Sequence, residues 1–303
     1  MRGSTTALAG LALGAILAVP LRAAQPDAVN RARRLDVEGK HEAAIAVYQQ
    51  VLARTPDSFE AHYGIARALD LAGKYDEARR HFSRAIELAP EGTKDQALRM
   101  MGVSYTFVSN ATEAAKYFRA VIDRRVAAGN HAGAAEVANE LGRVYLELND
   151  LDNALKWYRF GFDTAARETG RSAWETDLAE MRLAHAQARV AARKGNATEA
   201  RRYQAVVRSS LDKRTNSDQE IQYPYLVGYI DFYLKDYTGA IAALEKADQG
   251  DPFILLLLAQ AYEQAGNAAS ARTYYQKVLA STSHAVSNAF ARPIARRRLE
   301  STR

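Results

Sequence analysis

The sequence of 303 residues contains no cysteine. This excludes disulfide bonds, cysteine nucleophiles, thiolate metal sites and a lipid-modified N-terminal cysteine. Proline is scarce, with 7 residues, and no long run of alternating β-branched residues predicts a strand. Alanine, leucine, arginine, glutamate and glutamine dominate instead, and these are strong helix formers. With 48% apolar and 25% charged residues, the composition predicts an all-α protein with a folded core.

The sequence also lacks a strong excess of one charge. Its formal net charge is +6, and arginine alternates with acidic residues along most of the chain. Nucleic-acid-binding proteins usually concentrate cations on one face, so this pattern argues against a nucleic-acid partner. The one local excess lies in a predicted last helix and basic tail over residues 282–303, whose arginines are expected to face solvent: Arg292, Arg296, Arg297, Arg298 and Arg303.

Recognisable catalytic chemistry is missing from the sequence as well. It contains no metalloprotease motif, phosphate-binding loop, dinucleotide fingerprint or Gly-x-Ser-x-Gly elbow. The six histidines do not share the spacing of metal ligands. We therefore predict no cofactor, no metal site and no catalytic residue, and an enzyme that uses the chain as a substrate platform is the less favoured alternative.

The N-terminus has the pattern of a secretory signal. Arg2 precedes an apolar stretch over residues 7–19, which Pro20 interrupts before Ala23 and Ala24. A short positive region, an apolar region and small residues at a cleavage site define such signals. The apolar stretch is shorter than the about 20 residues that span a bilayer. We predict a signal peptide over residues 1–24 and export to the periplasm or the exterior, with an uncleaved membrane tether as the alternative.

An internal repeat is the main signal in the remaining sequence. The segment 25–56 and the segment 59–90 share a frame offset by 34 residues, as in Ala32 and Ala66 or Gly39 and Gly73. Weaker copies follow with irregular spacing, which predicts longer helices or loops around residues 122–135 and 164–180. The frame places a small residue at the eighth position of each copy: Ala32, Ala66, Gly102, Gly142, Ala188, Gly228 and Ala259.

These residues have a physical role in a helix pair. Small residues at the eighth and twentieth positions allow two helices to approach closely, while larger residues between them fill the interface. The glycine between the helices suits the positive φ of a helix end. Asp76, Asp152 and Thr198 are predicted to cap the helices that follow. One pair cannot bury its apolar stripe alone, so neighbouring pairs must stack.

The frame resembles the tetratricopeptide repeat family, whose 34-residue pattern is Trp-x-x-Leu-Gly-x-x-Tyr, then Ala-x-x-x-Phe, then Pro. The resemblance implies a right-handed α-solenoid of about seven helix hairpins, closed by a C-terminal capping helix. Repeats one to five cover residues 25–211 and repeats six and seven cover residues 221–281. The wholly polar segment 212–220 between them is predicted to be a loop or hinge.

The resemblance also implies a partner-binding surface. In this family the first helix of each pair lines a concave groove, where the fifth and ninth positions are among those that contact ligands. Carried onto this frame, and with the aromatic residues of repeat six added, the predicted partner-binding residues are Arg33, Tyr63, Arg67, Arg99, Asn139, Arg143, His185, Arg189, Tyr225, Tyr229, Phe232 and Tyr233.

Two alternatives stay open for this surface. Arginine binds carboxylates well through its planar fork, so the row of arginines is consistent with an acidic peptide ligand. Arg33 and Arg67 also lie three residues before Asp36 and Asp70, and pairing within the helix would satisfy them without a ligand. The aromatic residues of repeat six either anchor a partner or pack against repeat seven and the last helix.

The sequence therefore predicts a non-catalytic scaffold or adaptor that binds a segment of another protein in the concave groove, with an acidic peptide as one candidate. A structural subunit of an envelope assembly or secretion complex is the alternative function.

Overall fold

The computed structural model describes residues 24–301, with side chains from residue 26, so the predicted signal peptide lies almost wholly outside the described residues. Within this range the chain forms α-helices and no strand, which confirms the predicted all-α solenoid. A short 3₁₀ helix, Ser217–Ile221, lies in the polar segment. The helices are α1 (Ala24–Val37), α2 (His41–Arg54), α3 (Phe59–Ala72), α4 (Tyr75–Leu88), α5 (Glu91–Phe107), α6 (Ala111–Ala127), α7 (His131–Glu147), α8 (Leu151–Ala165), α9 (Ala173–Arg193), α10 (Ala197–Asp212), α11 (Gln222–Tyr233), α12 (Tyr237–Leu244), α13 (Pro252–Gln264), α14 (Ala268–Ala280) and α15 (Val286–Ser301).

Consecutive helices pack as seven hairpins, from α1 with α2 to α13 with α14, and α15 packs on the last hairpin. In four places the first helix of a hairpin also contacts the first helix of the next: α1 with α3, α3 with α5, α9 with α11, and α11 with α13. The first helices therefore form the inner side of the stack. This matches the seven hairpins and the capping helix that the repeat frame predicts.

The small residues at the eighth position have the predicted role. A Cβ atom built on Gly228 would lie 2.5 Å from Cγ of Leu244, and one built on Gly102 would lie 2.9 Å from the ring of Phe118. Leu244 and Phe118 belong to the second helix of the same hairpin. The absence of a side chain at these glycines therefore sets how closely the two helices of a hairpin approach.

The turn inside each hairpin has one conformation throughout. A residue with positive φ ends the first helix, although only four of the seven are glycine: Gly39, Gly73, Ser109, Asn149, Gly195, Lys235 and Gly266. The next residue is the N-cap of the second helix, and the side chains of Asp150 and Asn196 accept hydrogen bonds there.

The predicted N-caps were therefore wrong by two residues. Asp152 and Thr198 lie in the first turns of their helices, and so does Asp76, whose helix begins after Lys74. The reason is that the left-handed residue alone reverses the chain, so that the helix starts immediately after it.

The irregular spacing of the copies comes mainly from helix length. The helices of the first two hairpins have 14 residues each, whereas α5, α6 and α7 have 17 and α9 has 21. Near residues 122–135 the extra residues lengthen helices. Near residues 164–180 they lengthen α9 and the connection before it, where Ser172 and Glu175 form a capping box.

The C-terminal helix does more than cover the last repeat. It packs on α5 and α7 as well as on α13 and α14. Ala289 and Phe290 are buried, as the sequence predicts for a capping helix, whereas Ile294 is half-buried. The last hairpin is therefore connected through α15 to hairpins three and four.

The solvent-facing position predicted for the C-terminal arginines was wrong for Arg292. This side chain is 7% exposed. It donates hydrogen bonds to the carbonyl oxygens of Leu71 at 2.7 Å, Leu279 at 2.8 Å and Ser281 at 3.0 Å. The last carbonyls of a helix have no partner inside it, and a guanidinium has five N–H donors. Arg292 thus satisfies the C-terminal ends of α3 and α14 together.

Arg296 repeats this contact, since it is half-buried and donates to the carbonyl oxygens of Leu71 and Ala72. Arg297 and Arg298 are exposed as predicted. Arg303 lies outside the described residues.

A buried polar group reinforces the same junction. His284, just before α15, lies with its Nε2 atom 2.8 Å from Oδ2 of Asp70, and Ser104 donates to Oδ1 of Asp70 at 3.0 Å. The Asp70 and His284 side chains are completely buried. Burial raises the pKa of Asp70, although His284 and Ser104 oppose that shift. These contacts join α3, α5 and the C-terminal segment.

Candidate functional site: a cationic cavity on the inner face

A cavity of about 490 Å³ opens between the first helices of hairpins three to six. It lies among α5, α7, α9 and α11, with Tyr158 of α8 and Gln219 of the 3₁₀ helix also in its wall. The fifth and ninth positions of a repeat lie one turn apart and share a helix face. For this reason six of the twelve predicted residues line the cavity: Arg99, Asn139, Arg143, His185, Arg189 and Tyr225.

Arg189 lies deepest among the charged residues of the cavity, with 7% of its surface exposed. Its Nη2 atom donates to the hydroxyl of Tyr158 at 3.0 Å. Its guanidinium carbon lies 5.5 Å from the ring centroid of Tyr158 and 5.8 Å from that of Tyr229. The Nε atom is buried and has no hydrogen-bond partner among the described residues. Aromatic rings thus hold the cation in place while one N–H stays unused.

Arg143 lies on the neighbouring helix, with its guanidinium carbon 5.0 Å from the ring centroid of Phe253. Its Nη2 atom is 4.0 Å from Oδ2 of Asp251, which is beyond hydrogen-bonding distance. Both Nη2 and Nε are buried without a hydrogen-bond partner in the described part of the chain. Hairpin seven therefore holds this cation by its ring and its charge but leaves two donor nitrogens, Nε and Nη2, unused.

His185 and Tyr225 complete this end of the cavity, with ring centroids 5.6 Å apart. Nε2 of His185 and the hydroxyl of Tyr225 are buried and find no hydrogen-bond partner within residues 26–301. Burial and the charges of Arg189 and Arg143 hold the pKa of His185 well below its usual range, so the ring is neutral at pH 7. Burial raises the pKa of Tyr225, which keeps its proton.

The charges around this end do not balance. Behind Arg189, Arg193 forms a buried ion pair with Glu147 and donates to the Tyr229 hydroxyl at 2.7 Å. The cluster thus contains the guanidinium groups of Arg143, Arg189 and Arg193 but only the carboxylates of Glu147 and Asp251. An unmet buried donor costs about 1–3 kcal/mol, and more when the group is charged. The arrangement is therefore one negative charge short.

One buried acceptor is also unpartnered, namely Oε1 of Glu147. Glu147 does not line the cavity, however. The groups that line it and lack partners are donors, apart from the Nε2 atom of His185, whose role depends on the tautomer.

The other side of the cavity is open and mixed in charge. Arg99 pairs with Glu140, with an Nε–Oε2 distance of 2.6 Å. Arg182 is exposed at the rim. A second hollow of about 210 Å³ shares Asn139 and Arg182 with the cavity and reaches Trp174, which is half exposed. The two hollows form one continuous surface along the inner face.

The other six predicted residues do not line the cavity: Arg33, Tyr63, Arg67, Tyr229, Phe232 and Tyr233. Arg33 is exposed on α1, and Tyr63 and Arg67 are half-buried on α3. Tyr229 has no exposed surface and packs beside Tyr233. Partner binding by the twelve residues stays a prediction.

The acids expected to pair with Arg33 and Arg67 contact histidines. Asp36 lies 2.6 Å from Nδ1 of the buried His41, and Asp70 contacts His284. Both carboxylates are buried. The structure therefore gives the two acids partners outside the predicted i,i+3 pairs.

Sequence reasoning missed several residues of the cavity wall. Three of them, Glu136, Arg182 and Gln222, occupy the second position of their repeats. That position also faces the groove in the family that the sequence resembles, so the same frame could have identified them. Tyr158 belongs to a second helix, α8, and the repeat frame places only first helices at the groove.

Residues 24–301 contain neither a candidate metal cluster nor a candidate membrane-spanning helix. In this range no cluster of three histidine, aspartate or glutamate side chains is placed to hold a metal ion. Over the same range no helix combines the length and apolarity needed to cross a bilayer.

Comparison with solved structures shows a shared fold. The apo form of RapI is 12% identical, with a TM-score of 0.54 over 92% of this chain and 99% of that chain. A tetratricopeptide repeat protein from Parabacteroides merdae is 14% identical, with a TM-score of 0.52 over 92% and 99%. Nearly identical repeats of a putative kinesin light chain from Podosopora anserina are 16% identical, with a TM-score of 0.52 over 65% and 99%.

No curated protein matches the sequence. Three models of tetratricopeptide repeats match residues 29–93, 95–159 and 232–289, which together are more than half of the chain. The hairpin α9–α10 lies between the second and third of these matches and has the same helix-pair form. The matched repeats, the seven stacked hairpins and the shared fold agree: the chain belongs to the tetratricopeptide repeat family.

Proposed function

We propose that this chain is an exported, non-catalytic scaffold that binds an acidic segment of another protein along the inner face of α5, α7, α9 and α11. Tetratricopeptide repeats are generally non-catalytic modules of protein interaction, so the family supports an interaction scaffold. The acidic character of the partner and the export of the chain go beyond what the family supports, and both are part of the proposal.

The convergence of cations on one cavity is the observation that carries this proposal. Arg99, Arg143 and Arg189 come from three different helices and line the same space, with Arg182 at its rim. Arginine at an inner groove can donate two parallel hydrogen bonds to a carboxylate. The charge of the wall therefore favours an acidic segment over a basic one.

The continuity of the two hollows suits an extended chain. A segment that enters above the cavity would first pass Asn139 and Arg182, which line both hollows. It would then reach Trp174, which lines the second hollow. Trp174 is half exposed and can anchor an apolar side chain. In a Trp157→Phe background, its fluorescence offers a direct reading of occupancy.

Charge reversal at the rim tests the proposal. Arg182→Glu should abolish capture of a partner from an extract of the source cells and the accompanying change in Trp174 fluorescence. Arg119→Glu makes the same change of charge at an exposed position on α6, away from both hollows, and should leave capture intact. Added salt should weaken the captured complex. Equal capture by the two variants would contradict the proposal.

Export rests on the sequence of residues 1–24, with Arg2 before the apolar stretch at residues 7–19. Fusion of residues 1–24 to a reporter enzyme that is active only outside the cytoplasm should give activity. Replacement of Leu11 and Leu13 by arginine should remove it, because two charges interrupt the apolar stretch. A reporter that stays inactive in both forms would refute export by this segment.

A further inference from the structure

The floor of the cavity points to a second kind of ligand. We infer that it binds one small organic monoanion, with a carboxylate placed between Arg143 and Arg189 and beside Tyr225. This site goes beyond the scaffold function, because the binding of a small acid requires no protein partner.

Unused hydrogen-bond donors are the first argument. Nε and Nη2 of Arg143, Nε of Arg189 and the hydroxyl of Tyr225 are all buried without partners among the described residues, and all three residues line the cavity. In folded proteins buried polar groups nearly always have partners. Several unmet donors from three different helices around one space are the arrangement that a carboxylate satisfies, since its two oxygens accept about four hydrogen bonds.

Charge balance is the second argument, and it sets the valence of the ligand. At this end of the cavity Arg143 and Arg189 line the wall and Arg193 lies behind them. The acids that contact this cluster are Glu147 and Asp251, and neither of them lines the cavity. Buried charges in proteins are paired. One further negative charge would balance this cluster.

The shape and the wall of the cavity are the third argument. A volume of about 490 Å³ lies within the range of about 300–1,000 Å³ that is typical of small-molecule sites. Val137 and Met181 lie in the wall beside the cations, together with Tyr158. In a wall that is otherwise mostly polar, these side chains offer a small apolar surface for the short body of an acid.

The depth of the donors favours a free small molecule over a protein surface. Arg189 and Tyr225 are 7% and 5% exposed. A folded partner cannot bring a carboxylate to such groups, whereas a small acid can enter through the open side. A flexible or extended acidic peptide, as in the proposed function, is the other source of a carboxylate, and the experiment separates the two sources.

Calorimetric titration of the intact folded chain tests the site. Acetate, hexanoate and benzoate should be titrated, each beside its neutral amide. We expect at least one of these acids to bind with 1:1 stoichiometry and at least about tenfold more tightly than its amide, because charge-assisted hydrogen bonds are lost with the charge. No binding of any of the three acids, or equal binding of acid and amide, would overturn the inference.

Variants locate the binding and separate it from a structural role. Arg143→Gln and Tyr225→Phe should each weaken the acid about tenfold or more. Tyr225→Phe should also raise the Tm of the free chain, because it removes a buried hydroxyl without a partner. Tyr48→Phe changes a buried tyrosine on α2, outside the cavity, and should leave binding unchanged. Binding that neither cavity variant weakens overturns the site.

A chain terminus is tested with one acidic peptide, prepared with a free and with an amidated C-terminus. If the free-terminus peptide binds and the three small acids do not, the inference of a small-molecule site is wrong. Failure of partner capture by the scaffold, with the small acid still bound, would refute the proposed function and leave this inference standing.

Discussion

Two arginines with the same exposure illustrate two uses of a buried cation. Arg189 and Arg292 are both 7% exposed. Arg292 directs its donors at the ends of two helices, where backbone carbonyls accept them. Arg189 donates to one hydroxyl and keeps a buried N–H without a partner. Arg292 therefore stabilises the fold, while Arg189 belongs to the proposed ligand site.

Removal of Arg292 should destabilise the chain strongly. Arg292→Ala leaves the carbonyl oxygens of Leu71, Leu279 and Ser281 without this donor in a buried place, and we expect a loss of about 3 kcal/mol of unfolding free energy. Chemical denaturation followed by circular dichroism measures it. Arg297→Ala, an exposed neighbour on the same helix, should change stability by less than about 0.5 kcal/mol. Equal effects of the two variants would disprove this role.

His185 should make the stability fall below about pH 6.5. Its pKa is lower in the folded chain than in the unfolded chain, because burial, Arg189 and Arg143 oppose its charge. Below about pH 6.5 the unfolded chain therefore binds a proton that the folded chain does not, and this favours unfolding. Between pH 7 and pH 5.5 the wild type should lose about 1 kcal/mol more stability than His185→Gln.

Comparison of the wild type with His185→Gln isolates the contribution of His185 to the pH dependence of stability. His81, whose pKa is also lowered by burial, and Asp70, whose pKa is raised, are present in both. If the curves of unfolding free energy against pH run parallel for the two proteins, folding does not lower the pKa of His185.

At the scale of the element, one rule explains every hairpin. A first helix ends in a left-handed residue, the second helix starts at once, and a small residue at the eighth position lets the two pack closely. Ser109, Asn149 and Lys235 hold the left-handed conformation without being glycine. This conformation is unfavourable for other residues by about 1–2 kcal/mol, so packing within the hairpin must stabilise those turns.

A methyl group at the eighth position should separate the helices of a hairpin. Gly228→Ala places a Cβ atom 2.5 Å from Cγ of Leu244 and 3.1 Å from the carbonyl oxygen of Ala240. We expect a loss of about 1–3 kcal/mol in stability, although alanine favours the helix. Gly92→Ala is the control, since nothing lies within 4 Å of its Cβ position. Thermal denaturation of both variants should show destabilisation only for Gly228→Ala; a stabilised Gly228→Ala would contradict the packing.

At the scale of the whole molecule, the array is not a simple line of neighbours. In a linear repeat protein each hairpin contacts only the adjacent ones. Here α15 joins hairpin seven to α5 and α7, and Asp70 meets His284 across 214 residues. The C-terminal end of the array and hairpins two to four therefore stabilise each other.

Deletion of residues 282–303 should reveal this coupling. Hydrogen exchange should become faster in α3 and α5 as well as in α13 and α14, because both groups lose their contacts with α15 and its preceding segment. Arg292→Ala should give the same pattern to a smaller extent, which keeps the test available if the deletion does not fold. Faster exchange confined to α13 and α14 would show that the array behaves as a linear solenoid.

The candidate site was accessible from the sequence only in part. The repeat frame placed Arg143 and Arg189 at the same position of two repeats, and the structure brings both to one cavity. It did not show that Arg189 is buried between Tyr158 and Tyr229, or that Phe253 of hairpin seven covers Arg143. Those contacts depend on how far each hairpin is rotated relative to the preceding hairpin, and no local sequence pattern encodes that rotation.

The sequence by itself determined the hairpins, their number and their order. Small residues such as Gly102 and Gly228, and the large residues that face them, act within about 20 residues of chain, so their spacing is enough. Only the tertiary structure decided that Arg292 turns inward, that α15 reaches α5, and that the cations share a cavity with unused donors. The physical reason is that small rotations accumulate over seven hairpins, and their sum alone sets which distant surfaces meet.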